Sequence, residues 1–172
     1  MTAAALAAAV VLGVAGGAQT FPPIAVDGIG GVRPDMTLRA VRAHWHVPLR
    51  ASVDENGSQS RAEAAVCVGD VEGVTYFTGA SGFRPLDTHL FFQSAVFTAG
   101  ARTDTGVGIG SSVADVRKAY GSRLRGTRSE LRLISAKTPR TTILFELESQ
   151  RVKAIAFGRR GSVHATLFVP AC

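Results

Sequence analysis

The stretch Val32–His46, VRPDMTLRAVRAHWH, can be laid over Val107–Gly121, VGIGSSVADVRKAYG, with a constant offset of 75 residues and no gap. Similar residues then coincide along a short amphipathic segment: Thr37 with Ser112, Leu38 with Val113, Val41 with Val116, Arg42 with Arg117 and Trp45 with Tyr120. Self-similarity at a fixed spacing is the sequence signature of repeated structural units. We therefore predict that one unit occurs twice, at residues 32–100 and 101–172.

Each unit is predicted to be a short helix followed by an antiparallel meander of about four strands, which makes the fold class α+β with two tandem repeats. The helices are expected at Thr37–Trp45 and Ser112–Tyr120, where the apolar residues form one stripe at helical spacing. Ser112 followed by Asp115 resembles a capping box, and Pro48 is expected to end the first helix. Because a repeat of this size is marginal alone, the two are expected to share a core.

After each helix, the pattern changes to the two-residue period of strands. Strands are expected at Ala64–Val68, Val74–Thr78, His89–Thr98, Glu130–Ser135, Thr142–Glu148, Val152–Phe157 and Ser162–Val169. The segment Leu90–Phe97, LFFQSAVF, is apolar on both faces, which is typical of a strand that is covered on both sides. We expect this strand to lie where the two repeats meet.

The N-terminal residues 1–18, MTAAALAAAVVLGVAGGA, carry no charge and end in small residues. This pattern is typical of a secretory signal peptide cleaved after Ala18, and residues 19–31 are expected to form an extended leader. An uncleaved N-terminal membrane anchor is the alternative, although the run is shorter than the roughly 20 apolar residues that a spanning helix needs. The expected localisation is secreted or extracytoplasmic.

The chain has two cysteines, Cys67 and Cys172. In an exported protein, an even cysteine count favours a disulfide, and two free thiols are the alternative. Closing a loop of about 100 residues stabilises by about 4.7 kcal/mol in the chain-entropy model. We predict that Cys67 and Cys172 are bonded.

Charge is unevenly distributed along the chain. Residues 1–100 hold 6 Lys+Arg and 8 Asp+Glu, net −2, whereas residues 101–172 hold 13 and 5, net +8. A basic half can attract an anionic lipid or polymer, and the candidate anion-binding residues are Arg123, Arg125, Arg128, Arg132, Arg159 and Arg160. The alternative is a solvated basic face, since 16 of the 19 basic residues are Arg in an Ala- and Gly-rich chain. Nucleic acid is not an expected partner.

Residues 51–60, ASVDENGSQS, are the most polar stretch of the chain. They are expected to form a mobile surface loop. Such loops often carry binding residues, so Asp54, Glu55 and Asn56 are candidate partner-binding residues.

The sequence assembles no catalytic constellation, and we expect no cofactor and no metal. GVGIGSS, at residues 106–112, lacks the GK[ST] of a phosphate-binding loop. His44 and His46 would point to opposite sides of a helix, with no third ligand near in sequence. Ser81 is expected to be exposed, but no nucleophile-elbow motif surrounds it. Glu146 and Glu148 are expected to face solvent and to pair with Arg151 and Lys153.

Two pairs of motifs carry a family resemblance: Gly28–Trp45 with VTYFTG at Val74–Gly79, and Gly106–Gly121 with VKAIAFG at Val152–Gly158. This order resembles the repeat unit of β-lactamase-inhibitor-like proteins and of small outer-membrane assembly lipoproteins of the SmpA/OmlA type. The second copy is also similar to domains common in uncharacterised exported actinobacterial proteins. The resemblance implies two helix-plus-sheet repeats, often with a curved sheet that presents one face to a protein partner. It implies no β-lactamase inhibition.

The sequence favours an exported, non-enzymatic binding module that recognises a protein or cell-envelope component through its sheet face and residues 51–60. One alternative is an envelope accessory that binds an anionic lipid or polymer through the basic second repeat. The other is a small secreted hydrolase with a site at the repeat junction.

Overall fold

A computed structural model describes residues 20–47, 49–82, 85–135, 140–163 and 172. The predictions for the signal segment 1–18, for Pro48 and for most of the strand expected at 162–169 lie outside the described residues. The elements in chain order are β1 (Ile24–Ala25), β2 (Gly28–Ile29), α1 (Leu38–Trp45), β3 (Ala51–Asn56), β4 (Gln59–Val68), β5 (Val71–Ala80), β6 (Phe91–Ala99), α2 (Val113–Tyr120), β7 (Leu124–Gly126), β8 (Glu130–Ile134), β9 (Thr141–Glu148) and β10 (Arg151–Arg159). Short 3-10 turns occupy Leu86–Thr88 and Gly121–Arg123.

Eight strands form one antiparallel sheet in the order β3-β4-β5-β6-β10-β9-β8-β7. Each helix is thus followed by a four-strand meander, and the last strands of the two meanders, β6 and β10, pair at the centre. The central ladder runs from Phe97 opposite Ile155 to Ser94 opposite Gly158. The expectation that the apolar segment Leu90–Phe97 lies where the two halves meet is confirmed.

The two helices begin and end as their sequences predict. The Thr37 side chain accepts a hydrogen bond from the Ala40 N–H, and Ser112 with Asp115 forms a complete capping box. Such caps satisfy backbone N–H groups that the first turn leaves without partners. Most of the predicted apolar stripes are buried: Leu38, Val41 and Trp45 in α1, and Val116 and Tyr120 in α2. Val113, which begins the stripe of α2, is half-buried.

The segment that enters each helix is hydrogen-bonded to the first residues of the last strand of the same half. The N–H of Asp35 donates to Phe92 O at 2.9 Å, and the N–H of Gly110 donates to Val152 O at 2.8 Å. Both donors have left-handed backbones, with φ of 72° and 83°. Both helix exits also have a positive φ, 54° at His46 and 55° at Gly121, although their ψ angles differ, at 29° and −134°. The two entry residues are 75 residues apart, as are the two exit residues, whereas the acceptors Phe92 and Val152 are 60 residues apart.

One face of the sheet packs against both helices. Its principal core includes side chains of both halves, among them Trp45, Phe92, Phe97, Tyr120, Phe145 and Phe157. Trp45 donates its indole N–H to Ile29 O at 2.7 Å, so its buried polar atom has a partner. A smaller cluster lies on the opposite face and comprises Val74, Val96, Leu144, Ala154, Ala156 and Val163. We call this opposite face the outer face.

Two expectations about irregular segments are corrected. Residues 51–60 are not a loop, because 51–56 form β3, which is paired with β4 from Ala51↔Ala64 to Asn56↔Gln59. The segment looks polar because β3 is an edge strand, and the side chains that alternate with Ala51 and Val53 face solvent. The leader 19–31 is not extended throughout, since β1 and β2 form a small hairpin within it.

Cys67 and Cys172 are bonded, with 5.8 Å between their Cα atoms, as predicted. In β4, the residues that alternate with Cys67 belong to the principal core, namely Ala62, Ala64, Val66 and Val68. Cys67 is therefore on the outer face. The bond holds residue 172 against the outer face of the N-terminal half.

Candidate functional site

The outer face contains a groove of about 850 Å³. It lies over β4, β5 and β6, at the end of the sheet where β4 begins and β6 begins. The side chains that contribute most of its polar and aromatic character are Gln59, Arg61, Glu63, Tyr76, Thr78, Phe91, Gln93 and Ser94. This volume falls within the range of small-molecule binding sites in proteins.

Strand register explains why these side chains come together. Arg61 is opposite Thr78, which is opposite Phe91; Glu63 is opposite Tyr76, which is opposite Ser94. Residues in register on one face of neighbouring antiparallel strands have Cβ atoms about 4.5–5.5 Å apart. Two adjacent rows of side chains thus form the floor of the groove.

The floor contains two aromatic residues with different environments. Phe91 is 38% exposed and is the one large hydrophobic side chain classed as exposed among the described residues. Tyr76 is half-buried, and burial, followed by the nearby Glu63 carboxylate, raises the pKa of its hydroxyl to about 12. The Tyr76 hydroxyl is therefore protonated at every physiological pH, and it can both donate and accept a hydrogen bond.

The charges in the groove are of both signs. Arg61 and Glu63 are exposed, and Arg61 makes no ion pair or hydrogen bond within the described part of the chain. At the other side of the groove, Arg159 Nη2 donates to Asp35 Oδ2 at 3.0 Å. An unpaired guanidinium on a groove floor is a hydrogen-bond donor available to a ligand.

One of the three predicted partner-binding residues, Asp54, has its side chain on the same face as this groove. The Cα atom of Asp54 pairs with that of Arg61 in the β3–β4 ladder, so both side chains are on the outer face. Glu55 points the other way along the edge, where it accepts a hydrogen bond from Ser60 at 3.4 Å. Asn56 ends β3. The predicted segment therefore flanks the groove from an edge strand.

Four of the six candidate anion-binding residues surround the opposite edge of the sheet. Arg123 lies over the Tyr120 ring at 5.7 Å, Arg125 is in β7, Arg128 is in the turn, and Arg132 is in β8. Arg125 and Arg132 are directly opposite each other. Arg159 and Arg160 are separate, at the end of β10, and Arg159 pairs with Asp35. We call the first four the basic edge.

Two other sites considered from the sequence, Ser81 and the N-terminus of α2, lie in the described part of the structure. The hydroxyl of Ser81 is buried and has no hydrogen-bond partner in the described part of the chain, so the expectation of an exposed Ser81 is wrong. The N-terminus of α2 already holds a carboxylate, because Asp115 accepts from the Ser112 N–H and hydroxyl at 3.0 and 2.7 Å. These bonds lower the pKa of Asp115.

The expected pairing at the β9–β10 turn is half right. Lys153 Nζ pairs with Glu148 at 3.2 Å, as predicted. Arg151 instead donates to Gly110 O at 2.8 Å. This bond ties the β9–β10 turn to the segment that enters α2.

Arg61, Tyr76 and Phe91 were not predicted as site residues from the sequence. Phe91 was predicted to be covered on both sides, but it begins β6 and is 38% exposed. The alternation of exposed and buried residues along β4, QSRAEAAVCV, was a usable signal for Arg61 and Glu63. The pairing of three strands was needed to bring all these residues into one site.

Comparison of the chain with protein-family models, with curated proteins and with solved structures gives no match in any of the three. Within the described ranges, no helix has the length and apolar character required to cross a membrane. The same ranges contain no group of three or more His, Cys, Asp or Glu side chains placed to hold a metal ion.

Proposed function

We propose that this protein is an exported, non-enzymatic binding module that recognises a protein or cell-envelope component through the outer face of its sheet. The observation that carries this proposal is the groove, where the exposed Phe91 lies beside Tyr76 and the unpaired Arg61. Aromatic residues and Arg are the side chains most enriched among binding hot spots. The residues of β3, including Asp54, extend the proposed surface to the edge of the sheet.

Export is supported by the Cys67–Cys172 disulfide. Disulfides persist in oxidising compartments and are rare in the cytosol. The apolar, uncharged residues 1–18 support the same proposal as a signal peptide, with an N-terminal membrane anchor as the alternative.

We further propose that the chain consists of two tandem repeats, 32–100 and 101–172, of the type found in β-lactamase-inhibitor-like and SmpA/OmlA-like proteins. The matched helix entries and the positive φ at both helix exits, each 75 residues apart, support this proposal. The order of the sheet supports it too, because each half contributes a meander that ends at the central pair. In proteins of that type, one sheet face often meets a protein partner.

A second candidate function is binding of an anionic lipid or polymer through the basic edge. The observation that favours it is that four Arg side chains surround one edge of the sheet, with Arg125 directly across from Arg132. Arg132 is also paired with Glu130, so the excess positive charge of this edge is carried mainly by the other three. Replacing Arg125 and Arg132 by Gln is expected to weaken sedimentation with phosphatidylserine vesicles roughly thirtyfold, at about 1 kcal/mol for each residue. Unchanged sedimentation contradicts this candidate.

The hydrolase alternative has less support. Ser81, the serine considered as a nucleophile, has a buried hydroxyl with no hydrogen-bond partner among the described residues. A serine nucleophile needs a neighbouring base within hydrogen-bond reach. A panel of ester, amide and glycoside substrates tests this alternative directly, and turnover that is lost in Ser81→Ala would favour it over the binding module.

The leading proposal is tested by site-specific photocrosslinking in native envelope and culture-medium fractions. The photoreactive residue p-benzoylphenylalanine is placed at Gln93 in the groove and, as a matched control, at Arg117, which is exposed on α2 on the other side of the sheet. We expect a discrete adduct from Gln93 only, and loss of that adduct when Phe91→Ala is added. Equal labelling from both sites, or from neither, contradicts the proposal.

A further inference from the structure

We infer that the groove on the outer face is a binding subsite for a neutral oligosaccharide segment of a cell-envelope polymer. This inference rests on the binding function proposed above and specifies the chemical class of the ligand. It is carried by the combination of an exposed aromatic ring, a balanced set of hydrogen-bonding groups and a balanced charge within one groove.

Phe91 supplies the apolar surface that a sugar ring requires. A pyranose has hydroxyl groups around its rim, but its C–H groups form apolar patches on its faces. These patches can stack on an aromatic ring, which gains from the burial of apolar area and from the negative potential of the ring face. The 38% exposure of Phe91, at the open end of the groove, leaves its ring accessible to such a ligand.

The polar residues of the floor match the hydroxyl groups of a sugar. Each sugar hydroxyl both donates and accepts, so a site needs donors and acceptors close together. Gln59 supplies a donor and an acceptor, Arg61 donates, and Glu63 accepts. Gln93 supplies its amide oxygen and one amide proton, since its nitrogen also donates to Phe91 O at 3.2 Å. The Tyr76 hydroxyl, protonated because its pKa is about 12, provides both functions.

The charges favour a neutral ligand over a polyanion. Arg61 is balanced by Glu63 two residues along the same face of β4, and Asp35 is balanced by Arg159 at 3.0 Å. A polyanion would instead be attracted to the basic edge, which is at the opposite end of the sheet order. The two surfaces therefore differ in the ligand charge that they accept.

Glu63 disfavours the core of a protein interface at this place. At the centres of protein–protein interfaces, where water is excluded, Glu is depleted although Arg is enriched. Glu63 is exposed on the groove floor, and a protein surface seated there would have to desolvate its carboxylate. Sugar hydroxyls can replace the lost water with hydrogen bonds to this carboxylate.

The inference is tested by measuring retention of the protein on immobilised glycans. The neutral set contains glucan, mannan, galactan and chitin oligomers and the neutral polysaccharide fraction of the producing cell's envelope. The acidic set contains uronate- and sulfate-bearing glycans. We expect at least one neutral glycan to bind, with a Kd that Phe91→Ala weakens roughly tenfold. Phe91→Trp keeps the stacking surface and should retain binding. Arg125→Gln, on the basic edge, is the control that should leave the Kd unchanged.

Three outcomes overturn the inference: no neutral glycan is retained, Phe91→Ala binds as well as the original chain, or only acidic glycans bind and Arg125→Gln abolishes that binding. The photocrosslinking experiment separates this failure from failure of the binding function. A protein adduct at Gln93 with no neutral-glycan retention refutes the sugar ligand and leaves the binding module in place. No adduct and no retention refute both.

Discussion

The N-terminal half, with α1 and β3–β6, and the C-terminal half, with α2 and β7–β10, share one order of elements, a helix followed by a four-strand meander, but carry different side chains. Both helices enter through a residue of positive φ, Asp35 or Gly110, and both leave through another, His46 or Gly121. An aromatic residue ends each buried stripe, yet Trp45 donates to Ile29 O whereas the Tyr120 hydroxyl accepts from Thr105 at 2.9 Å. The comparison teaches that hydrogen bonds at helix ends maintain the architecture, while the partners of individual side chains vary.

The surfaces of the two halves diverge further than their cores. In the N-terminal half, the ten-residue strands β4 and β5 provide a broad floor for the groove. In the C-terminal half, β7 has three residues, and four Arg side chains surround that edge. One half therefore has a recessed surface of mixed charge, and the other has a basic edge.

The largest effect is expected from removing the bond between the C-terminal residue and the N-terminal half. Cys67→Ser with Cys172→Ser opens a loop with a sequence separation of 105. The chain-entropy model gives a loss of about 4.7 kcal/mol in the free energy of unfolding. Urea unfolding of the oxidised original and of this double variant measures the difference. A loss under about 1 kcal/mol would mean that packing alone holds residue 172 in place.

The next largest effect is expected from replacing the aromatic residue that ends each helix. Trp45→Ala and Tyr120→Ala should each lower the free energy of unfolding by about 3–5 kcal/mol, because each leaves a cavity in the shared core. Tyr120→Phe keeps the ring and loses only the bond to Thr105, so it should cost about 0.5–1.5 kcal/mol. Thermal and urea unfolding of the three variants provide the comparison. A much smaller loss in the free energy of unfolding for Tyr120→Ala than for Trp45→Ala would show that the two aromatic residues do not contribute equally to the core.

A smaller effect is expected from the two helix caps. Thr37→Ala and Ser112→Ala each remove a side chain that accepts from the backbone N–H three residues ahead. Each should cost about 0.5–2 kcal/mol, and Ser112→Ala should cost more because it also removes a hydrogen bond to Asp115. Equal losses would show that the hydrogen bond from the Ser112 hydroxyl to Asp115 Oδ2 adds nothing to the cap of α2.

The smallest expected effect is a difference in pH dependence between the two caps. Asp115 has a lowered pKa in the folded state, so its contribution is present above the unfolded Asp pKa of about 3.9 and is lost as pH falls through the folded value. Asp115→Asn should remove this dependence from urea unfolding measured between about pH 5 and pH 2. In α1, Ala40 occupies the corresponding position and cannot titrate. An unchanged pH profile in Asp115→Asn would contradict the role of this carboxylate.

Local signals in the sequence were sufficient for the helices and for much of the sheet. The apolar stripes that include Val41 and Val116 predicted both helices, and the alternation of Ile143, Phe145 and Leu147 predicted β9. With only two cysteines in the chain, one intramolecular pairing was possible, and it forms. These features depend on neighbours in sequence, which is why periodicity reveals them.

Features that depend on pairing between distant residues were not predicted. Edge strand β3 resembles a loop in sequence because only Ala51 and Val53 pack against the principal core. The groove joins Arg61, Tyr76 and Phe91 from three strands, and no short motif encodes their register. Phe91 in particular carries the composition of a buried residue at a position that the end of the sheet leaves exposed.

The central pairing of β6 with β10 also has a consequence for synthesis. Strand β6 is complete once Ala99 has been made, but its partner begins at Arg151, so residues 100–150 must follow before the strand can be covered. During that interval, the N-terminal meander would present the apolar segment AVF, at residues 95–97, along an unpaired edge, and such edges promote association between chains. An unfolded chain held by a chaperone until translation is complete would avoid this exposure. The strand that unites the two halves is thus the part of the nascent chain most in need of protection.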